Sequence, residues 1–356
     1  MRRGLSGCPL SAPPRGRAVS RGFVLPFVLI AITAASIMAF AMTAEALRDL
    51  RGQQGAAYAA QVAGAADAAL ARSLDRYAED ALWLRPLGVP HTQMTEVDGT
   101  PVTVEWQRHQ PLVASLRTRS RRGTGRRLDA VAREYYRAVW LEPPPIPILA
   151  ALTTNGPVFG REGTLVSGRD IASSDSPCGT TRDTASVAPI IAPAVREAVP
   201  GGWPSAPTAT HLPDSFPHEV ETAIEAVGAR LPITVAPVTG GPFPVSPEWT
   251  ALQWRGSSVS LVGPSRWTGL VVVRGKLVVT GAVQLTGLLI VDGHLDASHS
   301  QLSVRGAVVA VHPSASGVIL GGHSRLWYDR CAVQMALAAV ARPSLAPFSL
   351  WHSLPR

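Results

Sequence analysis

His294, Asp296 and His299 lie within a short stretch of one another, and His312 and His323 follow. On a strand, residues two apart share a face, so imidazole and carboxylate groups there could hold a divalent metal. The spacing fits no recognised metal-ligand pattern, and solvent-facing polar residues are the competing reading. Around them stand Arg274, Lys276, Asp292, Asp296 and Arg305. Facing carboxylates with basic neighbours can cleave glycosidic bonds. Arg274 and Asp292 are 18 residues apart, at equivalent places in a repeat, which reads instead as an outward ion pair or ladder. Ser265, Ser300 and Ser303 sit in no Gly-x-Ser-x-Gly elbow. Gly123-Thr124-Gly125 belongs to an arginine-rich run and not to a phosphate-cradling loop. No catalytic, metal or cofactor-binding residue is assigned, and no cofactor is expected.

The elements that carry these residues are repetitive. Gly269-Leu-Val-Val-Val-Arg-Gly275 is followed 18 residues later by Gly287-Leu-Leu-Ile-Val-Asp-Gly293, and 19 later by a third copy starting at Gly306. Short apolar strands with glycine at the corners and a fixed period predict coils of a parallel β-helix. Gly269, Gly275, Gly287, Gly293 and Gly306 are the expected corners. Alternate Val, Leu and Ile point inward and stack on their equivalents, each contributing about 1.5–3 kcal/mol. Thr153 to Asp170 reads as an earlier, imperfect coil. The chain is expected to leave for an excursion and rejoin near Ser257. Asp329 to Ala341 reads as a helix that covers the last coil, whose edge would otherwise invite pairing.

Within the excursion, Ser186 to Pro217 is rich in Ala, Pro, Ser and Gly without period, a linker or surface loop. Phe216, Val220, Ile224, Val227 and Leu231 then mark one face of a short helix, with Pro217 near its start. Upstream, Asp98-Gly99 between alternating segments signals a hairpin. The run Arg117, Arg119, Arg121, Arg122, Arg126, Arg127 separates it from a strand over Arg133 to Leu141. Three readings of that run stay open: a solvated hairpin loop, a contact with acidic lipid or an acidic partner, and nucleic-acid binding. No stacking aromatic interleaves with the arginines in sequence, which disfavours the last. Charge agrees. Setting aside these six arginines and the five of residues 1–22 takes the formal +8 to −3 for the remainder. No broad basic surface is left to neutralise phosphates, and no nucleic-acid partner is expected.

The N-terminal region sets the location. Arg2, Arg3, Arg15, Arg17 and Arg21 precede Phe23 to Ala44, 22 residues without a charge. That length crosses a bilayer as a helix, and basic flanks stay cytoplasmic. Membrane lipid is therefore an expected partner, with the bulk of the chain outside the cytoplasm. The apolar run is longer than the core of a cleaved secretory signal. Glu45 to Leu84 reads as its continuation, with a stripe at Val62, Ala66, Leu70, Leu74 and Tyr77 and stops at Pro86, Gly88 and Pro90. A simple signal anchor is one reading. Of three cysteines, Cys178 and Cys331 fall on the exported side, where they could pair or stand as two half-buried thiols.

The other reading of the N-terminus rests on Arg21-Gly22-Phe23. A basic leader ending in Gly, then Phe and an unbroken apolar helix, resembles the cleavage site of type IV prepilins. Such proteins usually carry Glu five residues into the mature helix. Phe27 stands there instead, as in minor, tip-type pseudopilins that also lack the Glu. Further along come an alanine-rich stalk, Ala151-Leu-Thr-Thr-Asn-Gly156, Gly168-Arg-Asp170, the glycine-cornered coils and Trp327-Tyr-Asp-Arg-Cys331. In that order the chain resembles the PilX N-terminal-type pilus assembly proteins of bacteria. The resemblance implies a non-catalytic, single-pass inner-membrane protein. Its body would be periplasmic or built into a surface fibre, and its N-terminal helix would sit beside other pilin-like or secretion-system subunits.

The expected architecture is α+β and membrane-anchored, a long helix followed by a mainly β domain with a short parallel β-helix. The expected divisions are a leader (1–22), transmembrane and stalk helix (23–90), small β region (91–150), β-helix domain (151–341, with its insertion at about 171–256) and tail (342–356). An envelope-anchored β-helix enzyme acting on carbohydrate and a plain envelope scaffold or adhesin are the rival readings.

Overall fold

A single helix, α1 (Val24–Asp75), comes first among the described residues. The computed structural model describes residues 24–122, 131–171, 178, 187–197, 212–231, 249–311 and 317–346. The leader with Gly22 and Phe23, the segment Gly123 to Gly125, Arg126, Arg127, His312 and the tail beyond residue 346 lie outside the described residues. Alanine-rich composition favours helix, and Pro26 falls in its first turn, where a missing N–H costs little. Residues up to Tyr58 form one compact unit and residues from Ala59 form a second.

In the first unit α1 is long and apolar enough to cross a membrane, and none of its most apolar window is buried. Phe40 is 77% exposed and Met42 71%. The hydroxyls of Thr33, Ser36 and Thr43 donate back to carbonyls three or four residues earlier.

In the second unit the rest of α1 presents an apolar stripe. Val62, Ala66, Leu70 and Tyr77 are buried. The helix stops at Asp75, earlier than the expected Leu84. Turns follow, with Ala81 in a left-handed conformation and a 3-10 turn over Leu82–Leu84, and they drop Tyr77 and Leu82 into the core.

This stripe belongs to the core of an antiparallel sheet. Its strands are β1 (Pro90–Val97), β2 (Thr100–Gln110), β3 (Val113–Arg122) and β4 (Val131–Glu142). Asp98 and Gly99 both adopt positive φ, as a tight two-residue hairpin between β1 and β2 requires. The arginine run is not a loop as far as Arg122; it is strand β3. Leu116, Thr118 and Ser120 face inward, and the Ser120 hydroxyl donates to the Val62 carbonyl of α1 at 2.8 Å. Arg117 and Arg119 pair in register with Tyr136 and Glu134 on β4.

The solenoid is built from short parallel strands: β5 (Ala150–Thr154), β6 (Val158–Gly160), β7 (Leu165–Ser167), β8 (Ala188–Ile191) and β9 (Val195–Glu197). Helix α2 (Phe216–Gly228) follows. Then come β10 (Thr250–Val262), β11 (Ser265–Asp292), β12 (Leu295–Val311), β13 (Val318–Leu320) and β14 (Arg325–Tyr328). Residues Leu277, Leu295, Val318 and Val158 stand in register one above another, all buried. This aliphatic ladder is the stacking that the glycine period predicts.

The order of coils in space differs from their order in sequence. The coil of β5–β7 does not precede the one beginning at Thr250. It stacks on the far side of the last coil: Val308 pairs with Leu152, Val318 with Val158 and Leu326 with Val166. Strands β8 and β9 stack beyond β5 and β6. The chain thus lays down one end first and resumes at the opposite end, at Thr250 and not Ser257.

Helix α3 (Arg330–Ala338) begins at Asp329, whose carboxylate accepts the Ala332 N–H at 3.0 Å. It packs against β11 and β12 and does not cover a coil end, because the β5–β7 coil already occupies that place. With α2 it buries the outer side of a solenoid face whose residues Val271 to Val273 and Leu288 to Val291 are covered on both sides. The segment Arg342–Leu345, expected as tail, is the edge strand β15, antiparallel to β4. So α3 and β15 tie solenoid to sheet. Tyr77 donates to the Ala338 carbonyl at 3.0 Å. Arg108, fully buried, donates to Pro111 O at 3.0 Å, Arg85 O at 3.3 Å, Trp83 O and the Met335 sulfur at 3.3 Å.

Candidate functional site

Gly269, Gly275, Gly287, Gly293 and Gly306 all have positive φ. At Gly287 a Cβ would meet the Gly269 carbonyl of the neighbouring coil, and at Gly306 it would meet that of Gly287. These glycines are required by backbone approach between coils and leave the chemistry to residues at other corners.

One such corner opens into a cleft of about 700 Å³. Arg161, Glu162, Ser298, His299, Gln301 and His323 line it. They come from distant parts of the chain, aligned by the stack. Gly281 and Ala282 pair with Ser300 and Gln301. The Gly321 amide donates to Ala297 O at 3.0 Å, and the Thr164 hydroxyl to Gly321 O at 3.0 Å. His299, His323, Arg161 and Glu162 are exposed. Glu162 is the one carboxylate in the lining among the described residues.

The sequence-predicted polar residues are only partly gathered here. His299 and His323 enter the cleft; His294 and Asp296 do not. The His294 Nδ1 lies 2.6 Å from the Gly317 carbonyl. Asp296 accepts the Ser298 hydroxyl at 2.7 Å and amide at 3.2 Å and pairs with Lys276 at 3.5 Å. Burial alone would raise its carboxyl, but Ser298, Lys276 and His294 together hold it below the usual carboxylate range. Among the described residues, no three His, Cys, Asp or Glu side chains gather as metal ligands.

Asp292 sits apart from Asp296. Burial pushes its carboxyl up, Arg274 opposes, and Glu221 of α2 adds to the rise. The Ser300 hydroxyl donates to its own corner, the Ala297 carbonyl, at 2.9 Å, and Ser265 is buried. Ser303 lies within the stack between Gln284 and Arg325.

A second polar cluster surrounds the start of α3. Arg305 binds Asp329 at 2.6 Å. Asp170 accepts the Arg330 amide at 3.1 Å and lies 3.6 Å from its guanidinium. Cys178 and Cys331 are joined in a disulfide, with Cα atoms 5.8 Å apart. The Gly168-Arg-Asp170 and Trp327-Tyr-Asp-Arg-Cys331 segments therefore meet in space, with Asp170 paired to Arg330 and Asp329 both paired to Arg305 and capping α3.

Sequence reasoning missed Arg161, Glu162, Ser298 and Gln301. The available signal was alignment of the 150–170 coil beneath the one starting at Gly306, which puts Arg161-Glu162-Gly163 against Gly321-Gly322-His323. Comparison of the chain with protein-family models, curated proteins and solved structures returned no match.

Proposed function

We propose that this chain is a non-catalytic, single-pass subunit that assists assembly of a type IV pilus or related secretion system in a bacterial inner membrane. One observation carries the reading. Between Pro26 and Ala44 helix α1 is uncovered and apolar, while its continuation past Ala59 carries a buried stripe against an antiparallel sheet. Lipid is the solvent that tolerates the uncovered part: its three hydroxyl side chains are satisfied within the helix, so no unpaired polar group would face hydrocarbon. The five arginines before Phe23 keep the N-terminus in the cytoplasm under the positive-inside rule. The Cys178–Cys331 disulfide suits an oxidising compartment, as expected of a periplasmic or fibre-bound body.

In this reading Gly22–Phe23 is the processing site, α1 inserts beside helices of other pilin-like subunits, and the solenoid serves as a rigid head. Phe27 brings no carboxylate to the subunit contact, so helix association rests on apolar packing. Mass spectrometry of the mature protein tests it. A new N-terminus at Phe23, with the protein recovered in sheared fibres, is the expected result; an intact leader with no fibre association removes the pilus reading and leaves an envelope scaffold.

A further inference from the structure

The cleft beside His299 crosses four neighbouring coils. Its corner positions are Gly281–Ala282, Ser298–Gln301, Gly322–His323 and Arg161–Glu162. With strands about 4.8 Å apart, the cleft extends ~14 Å along the stack. An occupant matching that shape is an extended chain lying parallel to the solenoid axis.

The lining narrows its chemistry. Apart from glycines, Ala282 is the least polar contributor, and every other side chain in the lining carries a polar group. Arg161 is offset by Glu162, and the lining holds no Phe, Tyr or Trp among the described residues, which argues against a nucleic acid. The backbone groups around the corner are engaged between coils: Arg161 N donates to Leu320 O and Leu165 N to Ser324 O. A peptide strand would therefore find no open sheet edge to extend. What remains is a row of amide, hydroxyl, imidazole, guanidinium and carboxylate groups, each able to donate to or accept from a hydroxyl.

We infer that this corner cleft binds a segment of hydroxyl-rich polysaccharide laid along the coils. Glycoside hydrolysis uses a pair of carboxylates, and Glu162 is the one carboxylate in the cleft among the described residues, so the lining lacks that pair. The inference is independent of the pilus reading, because it needs only the folded solenoid.

The test uses the full-length protein in lipid nanodiscs, free of sugar-headed detergent. Calorimetry is run with three tetrasaccharides: a neutral hexose, an N-acetylhexosamine and a uronic acid. At least one should bind, and Gln301→Ala and His323→Ala should each weaken it about tenfold, the effect of losing one or two hydrogen bonds. Met94→Ala, on the exposed edge of the antiparallel sheet, should leave binding unchanged. The inference is overturned if none of the three binds at millimolar concentration, or if Met94→Ala weakens binding as much as the cleft variants do. Oligothymidylate binding that is lost in the cleft variants would overturn it in favour of nucleic acid. Circular dichroism of each variant separates loss of binding from loss of fold.

Discussion

The antiparallel sheet and the parallel solenoid belong to the same compact unit but are stabilised differently. The solenoid interior is aliphatic and periodic: Leu277, Leu295, Val318 and Val158 repeat one contact through successive coils. The sheet spends polar groups on its order. Glu134 is clasped by Arg117 and Arg119, and Arg108 is buried among carbonyls. Repetition makes a structure whose parts are interchangeable, whereas the sheet depends on particular pairs. The segment from α3 to β15 joins the two, so damage to either should be felt through it.

The largest effect is expected inside the solenoid. Leu295→Asp puts a charge where the side chain is fully buried, and by the cost of burying an unpaired carboxylate it should abolish the fold. Limited proteolysis checks this: the whole solenoid should become susceptible, not a single coil.

Arg108→Ala comes next. It leaves Pro111, Arg85 and Trp83 carbonyls without their donor and a cavity beside Met335, at an expected cost of about 3–5 kcal/mol in denaturant unfolding. Burial lowers the Arg108 pKa and Tyr77 opposes that shift. Arg108→Met sharpens the comparison. If it restores most of the stability, packing and not hydrogen bonding holds the joint.

Breaking the disulfide by Cys178→Ala with Cys331→Ala opens a link between residues 153 apart. The expected loss is about 2–5 kcal/mol, read as a lower Tm and matched by reduction of the unaltered protein.

Glu134→Gln should cost least, about 0.2–1 kcal/mol, because its partners Arg117 and Arg119 are partly exposed. Burial would raise the Glu134 carboxyl, but the two guanidinium groups hold it below its ordinary value. A depressed carboxylate stabilises the fold above its unfolded pKa, near 4.3, and that contribution disappears as pH falls through the lower folded value. Acid unfolding curves of the two proteins should therefore converge at low pH and separate toward neutrality.

The coils were readable because glycine recurs at fixed intervals among aliphatic runs, a pattern that local sterics enforce. The order of coils was not, since each coil presents the same inward pattern and parallel stacking does not distinguish its neighbours. Strand β3 was missed for a different reason. Its inward positions include Thr118 and Ser120, so alternation with arginine lacked the apolar half of the usual signal. Strand β15 offered only Arg342-Pro-Ser-Leu345, an edge segment with no buried face to reveal it. The cleft residues were hidden because their proximity depends on coil 150–170 docking far from its sequence neighbours.

The proposed anchoring by α1 of a disulfide-bonded body outside the cytoplasm is tested most directly by protease accessibility in intact spheroplasts. The account predicts that the protein stays in the membrane through alkaline carbonate washing and that external protease removes Ala59 onward, leaving a short fragment containing the start of α1. A protein that is released into the soluble fraction, or that protease reaches only after the spheroplasts are lysed, would contradict it.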